Sequence, residues 1–166
     1  LWGWLPMWGI FLQPVGFLLF VTAGMAETKR VPFDLPEGES EIIGYFTEYS
    51  SMKFGAFFMT DFVETILIAT LIATLFFGGW QVPYLQSDGF HLPGGTFIAL
   101  QAVIVTLLQV AALAVKVVFF CWFLLVIRWT LPRFRYDQLM RLGWKIMLPI
   151  AVLNIFVTAL ILVLIE

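Results

Sequence analysis

Six carboxylates are concentrated between residues 26 and 58 of a chain in which only 12% of the residues are charged. Long apolar segments flank this stretch, and a carboxylate that approaches hydrocarbon without a partner costs several kcal/mol. Carboxyl groups crowded in a low dielectric disfavour each other's ionisation, so we expect some of them to hold protons near neutral pH. The chemistry that suits this cluster is proton exchange, and its members are Glu27, Asp34, Glu37, Glu39, Glu41 and Glu48.

Two further acids, Asp61 and Glu64, continue into the next apolar segment about two helical turns from its start. Ionisable groups at membrane depth are functional candidates. We hypothesise a chain of proton-exchanging carboxyls with Lys29 and Arg30 as charge partners. Two other interpretations remain open: an acidic loop that is merely solvated, and a position of the two deeper acids near enough to the interface to reach water.

A short helix is predicted from Pro36, since proline suits the first helical position and acids suit the first turns. On that helix Asp34, Glu37, Glu41 and Glu48 fall near one stripe. Aromatic residues alternate with the acids, which a purely solvated loop does not need. The pattern therefore favours the wall of a polar cavity.

The composition indicates an integral membrane protein of one domain, residues 1–166. Hydrophobic residues make up 61% of the chain and the mean hydropathy is +0.98, whereas soluble globular proteins are about 45–50% apolar. The chain has no basic patch for nucleic acid. A single cysteine, Cys121, and a single histidine, His91, leave no cysteine-ligated metal or iron–sulfur site and no bis-histidine haem. Redox cofactors are expected on other chains.

The predicted fold is all-α, with four transmembrane helices at about 4–26, 54–80, 95–129 and 142–165 and a partly helical acid-rich loop. Pro14 should kink the first helix. Basic residues occupy the loops 27–53 and 130–141, and the loop 81–94 has no Lys or Arg, so the first two are predicted to be cytoplasmic and the third external. Both ends of the chain then lie outside. Since the chain starts at Leu1 within an apolar run, we expect a longer protein with earlier spans.

Lys116 lies near the middle of the third predicted span, about three turns from Arg128. A charge there must face the protein interior, a polar cavity or a carboxylate, and we expect a buried partner, including one on a neighbouring subunit. The segment that follows is predicted to be a cytoplasmic connector in which Asp137 caps the next helix. We expect it to dock a soluble partner or anionic lipid head groups through Arg128, Arg133, Arg135 and Asp137.

Two long motifs resemble the quinone-site membrane subunit of respiratory complex I, which occurs in bacteria and, as subunit 1, in mitochondria. They are AETKRVPFDLPEGESE at 26–41, followed by TEYSSMKF, and RWTLPRFRYDQLM at 128–140; a weaker match is LFFGGW at 75–80. The resemblance covers essentially the whole chain and implies the second half of an eight-span subunit of the bacterial cytoplasmic membrane or an organellar inner membrane. Lys29 and Phe46 depart from the family, which usually has Asn and often His there, and the chain is one residue shorter near Gly44.

The resemblance implies that the acid loop lines the quinone chamber and starts the proton path. The implied charged positions are Glu27, Arg30, Asp34, Glu37, Glu39, Glu41 and Glu48, with Asp61 where the family usually has Glu and Glu64 beyond it. Aromatic side chains suited to contact quinone are Phe33, Tyr45 and Phe46. Lys116 is a candidate for the central polar line of the complex.

The function implied is that of a subunit of a proton-translocating NADH:quinone oxidoreductase that carries no redox centre itself. Quinone is the substrate, and NADH, FMN and iron–sulfur clusters are expected on partner subunits. The implied partners are the other membrane subunits of complex I, the soluble-arm subunits that face the quinone site, and membrane lipids. Two alternatives remain: an acid-lined secondary transporter or ion channel, for which internal repeats are expected, and the equivalent subunit of a membrane-bound hydrogenase-type complex.

Overall fold

Three helices of the chain are long and apolar enough to cross a bilayer. The computed structural model describes residues 8–35, 48–86, 89–91 and 97–165. The long apolar helices within these ranges are Met52–Phe76, Ala102–Thr130 and Tyr136–Leu164. Helices are thereby confirmed at the second, third and fourth predicted spans.

The first predicted span is a broken helix. α1 (Gly9–Leu12) and α2 (Pro14–Glu27) are separated by Gln13, and Pro14 occupies the first turn of α2. The predicted break at Pro14 is confirmed, because proline cannot donate a backbone hydrogen bond but suits the start of a helix. The 14 residues of α2 extend about 21 Å at 1.5 Å per residue, less than the hydrocarbon thickness of about 30 Å. A fourth complete span is therefore not established within the described residues.

The core lies where α2, α3 (Met52–Phe76) and α4 (Ala102–Thr130) meet. Ala69, Ile72 and Ala73 of α3 are fully buried, and Phe120 of α4 is 2% exposed. Small residues at a helix contact allow two backbones to approach closely. Gly24 serves α2 in the same way, since a Cβ there would lie 2.9 Å from Cγ2 of Ile68.

The loop between α3 and α4 contains a small antiparallel sheet, so the all-α prediction is wrong here. Strands β1 (Leu85–Gln86), β2 (Gly89–His91) and β3 (Phe97–Ala99) pair in the order β1-β2-β3. Helix α4 begins only at Ala102, after β3, and not at the predicted residue 95. Strands of two or three residues are too short to show an alternating pattern in the sequence.

The connector leads into a continuous helical stretch. It comprises α5 (Tyr136–Arg141), a π-helical segment at Leu142–Met147 and α6 (Leu148–Ile165). The predicted cap by Asp137 is wrong: the backbone N–H of Arg135, the residue before the helix, donates to Oε1 of Gln138 at 3.2 Å, and Asp137 sits in the first turn. An acid in the first turn still interacts favourably with the helix dipole.

The two motif segments touch each other. The backbone N–H of Phe134 donates to the carbonyl oxygen of Pro32 at 3.0 Å, and the rings of Phe33 and Phe134 lie 5.6 Å apart. Phe33 is 6% exposed and Pro32 is fully buried. The connector therefore holds the turn after α2 in place, although the two segments are separated by α3 and α4.

Replacing Phe33 should test this contact. Phe33→Ala removes a buried ring and is expected to cost about 3–5 kcal/mol of stability, the usual range for such a change. The matched control is Phe156→Ala, whose side chain is 71% exposed. Thermal unfolding of the chain in detergent gives the comparison. Equal melting temperatures for the two variants would contradict the packing described.

Candidate functional site

A polar cavity of about 110 Å³ lies where the turn after α2, the first half of α3 and the end of α4 converge. Its wall combines cationic, acidic and aromatic side chains. The lining residues are Lys29, Arg30, Val31, Asp34, Phe58, Asp61, Phe62 and Arg128.

The turn after α2 sets two of these side chains. Thr28, which is 8% exposed, ends the helix: its N–H donates to the Gly24 carbonyl at 3.1 Å and its hydroxyl to the Met25 carbonyl at 3.0 Å. Lys29 adopts a positive φ of 50°, a left-handed conformation that reverses the chain direction. The Phe33 N–H then donates to the Arg30 carbonyl at 2.8 Å. This closed turn brings Arg30 and Asp34 to the cavity wall.

Helix α3 supplies the opposite wall. Asp61 is half-buried and lies one turn before Thr65, whose hydroxyl donates to the Asp61 carbonyl at 2.8 Å. The Arg30 guanidinium stands 5.1 Å from the centre of the Phe62 ring. A guanidinium over an aromatic face is attracted by the ring quadrupole, so Phe62 helps to hold Arg30 at the cavity wall.

The sequence predicts a cavity lined mainly by acids, whereas the cavity in the structure has more cationic than acidic side chains. Three cationic and two acidic side chains line it, which leaves one positive charge in excess. The additional cation is Arg128, which the sequence places in the docking connector; it lies in the last turn of α4, where the helix dipole favours a positive group. The cavity therefore offers cationic hydrogen-bond donors as well as carboxyl groups.

A second, smaller void of about 20 Å³ adjoins the cavity and shares Arg30, Val31 and Arg128 with it. Its other polar lining residues are Thr28 and Thr65. A void needs roughly 10–15 Å³ to hold one water. The polar region thus extends by about one water molecule into the contact between α2, α3 and α4.

A row of aromatic rings leads along α3 to the cavity. The ring centres of Phe54 and Phe58 are 6.2 Å apart and those of Phe58 and Phe62 are 5.2 Å apart. All three are between 37% and 47% exposed. Sequence reasoning missed this row, although phenylalanines spaced by four residues on a helix share one face.

Three other predicted acids lie within the described ranges and do not line the cavity. Glu27 and Glu48 are exposed, and Glu64, one turn further along α3, is half-buried like Asp61. The cavity lining does not include Phe33, which packs on Phe134 in the core instead. Five predicted site residues lie outside the described ranges: Glu37, Glu39, Glu41, Tyr45 and Phe46. The predicted acidic helix from Pro36 lies there as well.

Three of the residues predicted for docking do not line the cavity: Arg133, Arg135 and Asp137. Arg133 is half-buried, and Arg135 and Asp137 are exposed. Arg135 has extended backbone angles, φ −78° and ψ 156°. Within the ranges that the structure describes, no three His, Cys, Asp or Glu side chains are grouped to hold a metal ion.

Lys116 finds its partner inside the chain. Its ammonium donates to the backbone carbonyls of Phe77 and Gly79 at 2.8 Å and of Gln81 at 2.9 Å. The Trp8 ring lies 5.0 Å from the same nitrogen. The expected partner thus consists of backbone oxygens just beyond α3, for which a sequence carries no direct signal.

The family model and the relatives that match this chain carry related descriptions. The family model described as NADH dehydrogenase matches residues 2–159. The H subunit of the NADH-quinone oxidoreductase of Bdellovibrio bacteriovorus is 47% identical, with 94% of this chain and 42% of the relative covered. NADH-quinone oxidoreductase subunit 8 of Rhodothermus marinus is 46% identical, with coverages of 95% and 46%.

A third relative, the H subunit of the NADH-quinone oxidoreductase of Thermomicrobium roseum, is 46% identical over 95% of this chain and 40% of its own length. The chain therefore spans less than half the length of these curated relatives.

The contact between Arg30 and Phe62 can be measured by a double-mutant cycle. Arg30→Gln and Phe62→Leu, alone and together, should give a coupling free energy of about 0.5–1 kcal/mol, and more if the pair is shielded from water. The free energies come from denaturant unfolding in micelles. A coupling of zero would mean that the ring does not hold the guanidinium.

Proposed function

Because this chain belongs to the NADH dehydrogenase family, we propose that it forms part of the membrane subunit of an NADH-quinone oxidoreductase. In this proposal it helps to enclose the quinone head group and couples quinone reduction to proton translocation. The observation that carries the proposal is the mixed-charge cavity between Arg30, Asp34, Asp61 and Arg128. A site for quinone chemistry needs both hydrogen-bond donors and proton-exchanging groups, and this cavity contains both.

The head group of a quinone has carbonyl oxygens that accept hydrogen bonds. A guanidinium presents five N–H donors in a fixed plane, so Arg30 and Arg128 are suited to hold those oxygens. Reduction to hydroquinone consumes electrons from a partner chain and protons from the site. The row formed by Phe54, Phe58 and Phe62 offers an apolar face for the hydrocarbon part of the molecule.

Protons withdrawn by the quinone change the charge of the carboxyl groups around it. Asp34 and Asp61 on the cavity wall are the first donors in this scheme, and Glu64 is the next acid along α3. Neighbouring carboxyls influence each other's protonation, so a change at one site is passed on. The proposed relay continues through Glu27, Glu37, Glu39, Glu41 and Glu48.

The remaining components of the reaction belong to partner subunits in this proposal. NADH, FMN and iron–sulfur clusters lie on them, and the soluble arm docks at the connector through Arg133 and Arg135. The proposed topology has one membrane domain with the loops 27–53 and 130–141 on the cytoplasmic side and the β-sheet outside. Basic residues in the first two loops and their absence between residues 81 and 94 support this orientation.

Asp61→Asn provides the direct test, since asparagine keeps the size and polarity of the side chain but cannot exchange a proton. In the assembled enzyme the variant should lower the rate of quinone reduction at least about tenfold, because a positioned acid or base contributes roughly 10²–10⁴ to a rate. NADH oxidation with added quinone is followed in membranes, and NADH oxidation with a soluble electron acceptor reports assembly.

The matched control is Asp61→Glu, which keeps an ionisable carboxyl group at the same position and should retain most of the quinone rate. A wild-type quinone rate in Asp61→Asn, with normal assembly, would refute the role given to this carboxyl.

A further inference from the structure

Lys116 occupies the midpoint of α4, fourteen residues from each end of the helix Ala102–Thr130. At 1.5 Å per residue this is about 21 Å from either end, so the ammonium lies well inside the predicted span. Its three contacts to the carbonyls of Phe77, Gly79 and Gln81 measure 2.8–2.9 Å. Such lengths are those of charge-assisted hydrogen bonds.

The carbonyls converge because of the way in which α3 ends. Gly78 and Gly79 have positive φ values of 69° and 56°, a conformation that glycine adopts without steric cost. The Gly79 N–H returns to the Ala73 carbonyl at 2.9 Å, which curls the chain over the helix end. The three acceptors belong to the turn that follows α3, just past the last helical residue, Phe76. A cation at this place also lies at the negative end of the helix dipole.

Trp8 closes the fourth side of the site. Its ring lies 5.0 Å from the ammonium nitrogen, and a Cβ on Gly78 would lie 3.1 Å from atoms of the same indole. The close approach of α1 depends on Gly9, where a Cβ would lie 2.6 Å from the Leu75 carbonyl oxygen. Three carbonyl oxygens and one aromatic face thus surround a single cation.

We propose that Lys116 is a fixed ammonium charge held in a carbonyl cage at the end of α3, and that it is not a proton carrier. An ammonium has three N–H donors and no acceptor, which matches three carbonyl oxygens. A neutral amine has only two N–H donors and a lone pair, and the lone pair would face the third oxygen. The cage therefore selects the charged form throughout turnover, and it joins α1, α3 and α4 at one point.

The three carbonyl oxygens and the Trp8 ring form a cation-binding site, and the Lys116 side chain occupies it. Lys116→Ala removes the atoms of a propylammonium ion, so that free propylammonium should bind in their place. Tetramethylammonium has the same charge but no N–H group, and it should not bind. The exposed Lys145 of the π-helical segment provides the control substitution Lys145→Ala.

The first measurement is the thermal denaturation of the assembled complex. Lys116→Ala should lower its midpoint relative to the wild type and to Lys145→Ala, because it removes three hydrogen bonds from an ammonium group. Propylammonium should restore at least about half of this loss, tetramethylammonium none, and Lys145→Ala should respond to neither. If Lys116→Ala does not assemble, Lys116→Met is used instead: it keeps the apolar stem and removes the ammonium, so its midpoint should be lowered and neither cation should restore it. An unchanged midpoint, or equal rescue by both cations, would overturn the cage.

The second measurement is the number of protons translocated per NADH oxidised. Arginine keeps the charge and cannot be deprotonated in proteins, so Lys116→Arg should retain the wild-type ratio if the charge is fixed. Loss of proton translocation in this variant, with quinone reduction intact, would show that Lys116 carries protons. The thermal measurement makes no use of quinone chemistry, so the cage is tested separately from the function proposed above.

Discussion

Helix α3 ends beside the midpoint of α4, and three carbonyl groups of the turn that follows α3 converge on one point. Lys116 provides the donors, and the chain around it is arranged so that they reach their acceptors. The glycine pair after Phe77 turns the backbone, and Gly9 lets α1 approach closely enough for Trp8 to cover the cation. Without this contact, a lysine and three carbonyls would each have to be desolvated alone, which is costly.

Charged groups are also compensated within the chain at the first half of α3, here by side chains of opposite charge. Arg30, Asp34, Asp61 and Arg128 share one cavity, so that opposite charges compensate each other where water is limited. Phe33 and Phe134 pack outside the cavity and tie its loop to the connector. In this short segment, Arg30 and Asp34 line the cavity, whereas Phe33 makes the packing contact. A substitution can therefore affect reactivity without loosening the fold, or the reverse.

Much of this architecture could be predicted from periodicity and charge. The three long apolar helices and the break at Pro14 follow directly from hydropathy and from the missing N–H of proline. The β-sheet could not be predicted, since its strands are two or three residues long, too short to show an alternating pattern. The partner of Lys116 could not be predicted either, because every residue has a backbone carbonyl group. The pair Gly78 and Gly79 was the sequence feature that favoured a turn at this place.

For the cavity, the sequence indicated the acids Asp34 and Asp61 and the cation Arg30, but it placed Arg128 elsewhere. A helix of 29 residues carries its last turn back over the loop after α2, and this return depends on the packing of α4 against α3. The ring of Phe33 was expected towards a ligand because aromatics alternate with acids. Its burial on Phe134 depends on a segment about 100 residues later, which local pattern cannot reveal.

The close contact between Gly24 of α2 and Ile68 of α3 restricts how α2 can move along α3. A Cβ at that position would come within 2.9 Å of the isoleucine, so a glide of α2 along α3 by one turn would drive Phe20 or Thr28 into the branched side chain. This contact therefore opposes axial sliding of α2 along α3, and a movement of α2 that keeps the contact is a tilt about Gly24.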